Sequence, residues 1–173
     1  MSHFPKISPS KISVAGGAIP IDGNSLGGDF FVDDAKKFLH DAEAMGAFSH
    51  TVKLETIDWS TVDAMYLAGG HGTCVDFINN PSLKSAIETL FNADKVVACD
   101  CHGPIALADC VKADGSPLVK DKVVTGFADS EEMAVQLDKI VPFLVESQRH
   151  RGRLADHRIR EVVGLHEPTV SPL

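Results

Sequence analysis

An α/β fold of the flavodoxin-like kind, with a doubly wound, mostly parallel and incomplete sheet, is predicted by three features of this 173-residue sequence. VDAMYLAGG and KVVACD have the short apolar character of buried parallel strands. The segment between them, NPSLKSAIETLF, offers Asn80 as a helix N-cap and Pro81 in the first turn, then an apolar stripe at Leu83, Ile87, Leu90 and Phe91. Both strands run into glycine-containing loops, the place where open α/β sheets put their ligands.

Taken in order, residues 1–29 are rich in Gly, Pro and Ser, and GGAIPIDGNSLGGD reads as an irregular loop ending in a helix cap around Asp29. From Phe31 the apolar positions Phe31, Ala35, Phe38, Leu39, Ala42 and Met45 recur at helical spacing, which predicts one amphipathic helix ended by Gly46. The first strand runs from Val62 to Ala68, the capped helix follows, and KVVACD is the second strand. HGPIALADCV then predicts a short helix, DGSPLVKDKVVTGF a turn, short strand, turn and strand, and SEEMAVQLDKIVPFLVE a closing helix. Strand, helix, strand, helix with short loops is the pattern of a doubly wound sheet with right-handed crossovers.

The expected organisation is one α/β domain over residues 1–148 and an atypical tail over 149–173. All five arginines fall in that tail while the eleven lysines precede it, and the tail has no clear period. A different coding origin and a natural, poorly ordered basic tail are the two readings of that break.

Composition narrows the function. With 44% hydrophobic and 23% charged residues the chain is an ordinary globular one, and a formal charge of −8 opposes nucleic-acid binding. No apolar run approaches the roughly 20 residues needed to span a bilayer, so no membrane role and a cytoplasmic location are expected. Without an export signal the four cysteines, Cys74, Cys99, Cys101 and Cys110, are expected as thiols.

VVACDCHGP carries the chemistry. A cysteine ends a strand and His102-Gly103-Pro104 turns sharply into a helix, as the nucleophile elbow of hydrolases does with serine. The expectation is that Cys101 points outward and that the helix N-terminus and nearby donors lower its pKa. The following His102 is a candidate base, although a sequence neighbour usually points away and its ring must swing back. The carboxylate that fixes its tautomer is one of Asp129, Glu131 and Glu132, which also read simply as the acidic first turn of a helix. Backbone N–H groups of LAGGHGT could form an oxyanion hole. A zinc site from His71, Cys74, Cys99, Cys101 and His102 is the competing reading, disfavoured because VVAC looks like sheet core. Cys74 and Cys110 read as packing residues.

At these residues the sequence resembles the DJ-one/PfpI superfamily, of class I glutamine amidotransferase-like fold, and within it the heat-shock-protein-31-like glyoxalase branch. GGAIPID, DDAKKFLHD, LAGGHGT, CHGP, DGSPLVK and VPFLVE carry the likeness, from about Gly16 to Glu146. The resemblance implies Cys101 as nucleophile, His102 as its partner, Glu132 as the acidic third member, and Gly70 with the N–H of His102 as the oxyanion hole. It implies glutathione-independent conversion of methylglyoxal, a small α-oxoaldehyde, to D-lactate, with no cofactor and no metal, and a homodimer is plausible from the same likeness. The family also implies a glutamate on an N-terminal βα unit, yet no glutamate precedes Glu43 here, so that unit and a final strand-helix segment are expected to be missing. The alternative reading is a non-catalytic, stress-responsive redox sensor, or a holdase chaperone or protein deglycase of the same family. Asp100 stands where relatives have a small apolar residue, and a buried carboxylate there needs a partner.

Overall fold

The computed structural model describes residues 9–122, 124–150 and 163–164, with Asp29, Arg149, His150, Val163 and Gly164 as backbone alone. The chain divides into two units, Met1–Ile57 and Asp58–Leu173.

In the first unit β1 (Ile12–Ser13) pairs in parallel with β2 (Val52–Lys53). Between them lie α1 (Asp33–His40) and α2 (Ala42–Ser49), where the sequence predicted a single helix ended by Gly46. The break is at Asp41, whose carboxylate accepts the N–H groups of Glu43 and Ala44, each at 2.9 Å. An Asp side chain competing for backbone donors favours a fresh N-cap over a continued helix, and Gly46 ends up inside α2. Residues 23–26 and 28–30 make 3-10 turns, and Val32, which has no side-chain acceptor, precedes α1; the side chain of Asp29, around which a cap is expected, lies outside the described ones. Phe38 and Phe48 join the two helices edge to face, with centroids 5.6 Å apart.

The second unit contains β3 (Ala64–Leu67), α3 (Thr73–Asp76), α4 (Pro81–Asn92), β4 (Val96–Cys99), α5 (Asp129–Ala134), α6 (Ser147–His150) and β5 (Val163–Gly164). Strands β3 and β4 are parallel, in register from Ala64 opposite Val96 to Leu67 opposite Cys99, and β5 adds antiparallel to β4. The strands are buried on one face rather than two. Met65, Leu67, Val97 and Cys99 point into the core while Tyr66 is exposed, the period-two pattern of a half-buried sheet.

Helix α4 covers that face as the spacing predicted: Asn80 accepts the N–H of Leu83 at 3.1 Å, and Leu83, Ala86, Ile87 and Leu90 are buried. After β4 the expected short helix is a 3-10 segment, Gly103–Leu107, fully buried. Among the described residues, the expected strands over DGSPLVKDKVVTGF are replaced by turns, irregular chain and an isolated bridge between Val111 and Pro117. The N–H groups of Gly115, Lys120 and Lys122 bond back to Lys112, Pro117 and Val119, using donors a strand would offer sideways. Residue 123 lies outside the described residues. The closing helix stops at Ala134, and two residues on, Gln136 is left-handed at φ 61°. Beyond His150 the arginine-rich tail lies outside the described residues except for β5. Among the described residues no helix is long and apolar enough to cross a membrane.

Candidate active site

The register that sets Leu67 opposite Cys99 makes the loops after β3 and β4 leave the sheet side by side. Their contact admits only glycine. A Cβ on Gly69 would meet Cβ of Cys101 at 2.6 Å, and one on Gly103 would meet the carbonyl oxygen of Leu67 at 2.5 Å.

Cys101 sits at φ 50°, a left-handed conformation that costs a non-glycine residue about 1–2 kcal/mol. Its neighbours hold it there. Gly103 N–H donates to the carbonyl of Asp100 and Phe127 N–H to that of Cys101, both at 2.7 Å. The Asp100 carboxylate accepts the N–H of Gly69 at 2.6 Å, and the Thr73 hydroxyl reaches the carbonyls of Gly70 at 2.8 Å and His102 at 3.2 Å. Asp100 is thus exposed rather than buried, and its partner is the loop after β3. Strain held by surrounding bonds in this way is a mark of functional turns.

The ring of His102 does swing back. Its Nδ1 lies 3.2 Å from the Cys101 sulfur, and its Nε2 lies 2.7 Å from Oε2 of Glu132. Both His102 and Glu132 are almost fully buried, at 1% and 2% exposure. Phe127 stacks on the imidazole at 4.4 Å between centroids. The backbone N–H groups of Gly70 and His102 lie near enough to the Cys101 sulfur to favour its thiolate.

Helix α5 separates the three candidate carboxylates. Asp129 accepts from the N–H and hydroxyl of Ser147, and Glu131 folds back to accept the N–H of Ala128 at the helix start. Glu132 alone of the three turns into the site, where its other oxygen, Oε1, lies 2.7 Å from Nε2 of His71. Sequence reasoning weighed His71 only as a zinc ligand; the signal for more was its place in GGHGT, directly after Gly70.

Desolvation pushes the Cys101 thiol above its ordinary pKa, the N–H groups of Gly70 and His102 oppose this, and the charges of Asp100 and Glu131 add to it. The lowered value expected at a helix N-terminus is therefore corrected: the segment after Cys101 is a short 3-10 turn, and two carboxylates lie near the sulfur. Burial thus favours the protonated thiol over the thiolate. Cys74, Cys99 and Cys110 are buried packing thiols, raised by desolvation to about 11, about 12 and about 12.

No protein-family model matches the chain. The probable glutathione-independent glyoxalase hsp3104 of Schizosaccharomyces pombe is 33% identical over 92 residues, 53% of this chain and 41% of that protein. Glyoxalase 3 of Candida albicans is 30% identical over 114 residues, 64% of this chain and 48% of that protein. The solved structure of the Rapid Encystment Protein 24 KDa of Francisella tularensis superposes with a TM-score of 0.76 at 32% identity, covering 88% of this chain and 67% of that one. The chain belongs to the Hsp31-like glutathione-independent glyoxalase family of the DJ-one/PfpI superfamily.

This Hsp31-like chain spans about half the length of the curated relatives it matches. Among its described residues, the group whose metal-ligating atoms lie within 4.8 Å of one another is His71, His102 and Glu132, without any cysteine. The five-residue zinc set is therefore not brought together, and both Nε2 atoms of the group are already hydrogen-bonded to Glu132.

Proposed function

We propose that the chain performs glutathione-independent glyoxalase chemistry on a small α-oxoaldehyde such as methylglyoxal, with Cys101 as nucleophile, yielding D-lactate. The observation that carries this reading is the line from the Cys101 sulfur to Nδ1 of His102 and from its Nε2 to the buried carboxylate of Glu132. A neutral imidazole donating through Nε2–H presents a bare Nδ1 to the thiol, which suits it to take the thiol proton during attack.

In the proposed sequence the sulfur adds to the aldehyde carbon and the carbonyl oxygen becomes an oxyanion facing the N–H groups of Gly70 and His102. Protonation of that oxygen gives a hemithioacetal. A base removes the hydrogen on the former aldehyde carbon, giving an enediol, and a proton returns to the adjacent carbon, leaving a lactoyl thioester on Cys101. Water then cleaves the thioester to lactate and the free thiol. Family membership supports this substrate class.

Methylglyoxal supplied without glutathione should yield D-lactate, and Cys101→Ala should abolish it. Turnover that persists in Cys101→Ala overturns the mechanism.

A further inference from the structure

Both oxygens of the Glu132 carboxylate are engaged, Oε2 by Nε2 of His102 and Oε1 by Nε2 of His71, each at 2.7 Å. A carboxylate only accepts, so each imidazole donates through Nε2–H. For His102 this fixes the tautomer whose bare Nδ1 faces the Cys101 sulfur. We infer that His71 is a positioning residue for the Cys101 thiol: by holding Oε1 it stops the Glu132 carboxylate from turning, and so keeps His102 in the tautomer that can take the thiol proton.

Three observations carry this. Glu132 has only 2% exposure, so water is poorly placed to replace a lost donor on Oε1, and among the described residues no third group donates to this carboxylate. The carboxylate ends a long side chain on a helix of six residues, and two anchors on opposite oxygens are what fix its terminal torsion. The two imidazoles are also packed together, centroids 4.3 Å apart, and the Thr73 hydroxyl ties the carbonyl of Gly70, next to His71, to that of His102. His71 keeps 28% side-chain exposure and its Nδ1 makes no hydrogen bond among the described residues, so its single anchoring bond is the one to Glu132.

The inference rests on Cys101 being the reactive thiol of the proposed function, not on the identity of the substrate. Its test is alkylation of Cys101 by iodoacetamide in the full chain, followed by peptide-resolved mass spectrometry across pH, with folding checked by circular dichroism. The groups facing the sulfur are His102, Asp100, Glu131 and the N–H of Gly70. At pH 7 His71→Leu should react about tenfold more slowly than the native chain, the scale set by one hydrogen bond to a charged group. His71→Gln, which keeps an N–H of similar reach, should stay within about twofold. Above the thiol's own ionisation all rates should converge, because a thiolate needs no base. His71→Asn, polar but too short to reach Oε1, should be slow like the leucine variant, and it serves if that variant does not fold.

Equal rates for native, leucine and asparagine chains at pH 7 overturn the inference and leave the proposed function standing. A glutamine variant as slow as the leucine one overturns the role of the donated N–H. A native Cys101 that resists alkylation across the range overturns both the inference and the reading beneath it.

Discussion

A Cβ placed on Gly69 would stand 2.6 Å from the Cβ of Cys101, closer than packed carbons approach, while a Cβ on nearby Gly72 would meet nothing within 4 Å. The pair gives an internal control. Gly69→Ala should cost about 1–3 kcal/mol through overpacking and should slow alkylation of Cys101, because the elbow must shift. Gly72→Ala should change stability by less than about 0.5 kcal/mol, as surface substitutions do. Urea unfolding of both variants checks this, and equal stabilities would show that the loop yields without moving the elbow.

Glu132→Gln keeps the size of the side chain but supplies an amide that can donate to Nε2 of His102. That would stabilise the tautomer with a proton on Nδ1, facing the sulfur, where it cannot accept the thiol proton. Steady-state kinetics with methylglyoxal should show kcat lower by about 10²-fold or more with KM little changed. A loss confined to KM would mean that Glu132 acts in binding instead.

Asp100→Asn tests the charge near the thiol. The Asp100 charge is one of the influences that raise the Cys101 pKa, after desolvation, so its removal should move the pH midpoint of alkylation downward. Asparagine still offers Oδ1 to the N–H of Gly69, which keeps the loop in place. An upward shift would mean that loop geometry outweighs charge at this position.

Ile87 on α4 has 0% exposure. Truncation to alanine removes three carbons from the core beneath the sheet and should cost about 2–5 kcal/mol. Urea denaturation should show a lower midpoint with an unchanged slope.

The second unit was the more legible one, and the reason is physical. Asn80, Pro81 and the stripe at Leu83, Ile87 and Leu90 act locally, so their spacing alone defines α4. The elbow was readable for the same reason, since Gly103-Pro104 turns the chain whatever lies around it. Asp41 was missed because its apolar neighbours keep helical spacing while its carboxylate starts a second helix. The choice among Asp129, Glu131 and Glu132 depends on groups distant in sequence, such as Ser147 and His71. The thiol's raised pKa depends on desolvation and on the folded positions of Asp100 and Glu131, which spacing does not encode.

The four cysteines turn the chain into its own folding gauge. Cys74, Cys99 and Cys110 are buried, with pKa values of about 11, about 12 and about 12, whereas Cys101 is exposed. A colorimetric thiol titration under native conditions should count one group, and the same titration in denaturant should count four. Any preparation that reads between those limits reports the fraction of its molecules that have opened, with no label or antibody required.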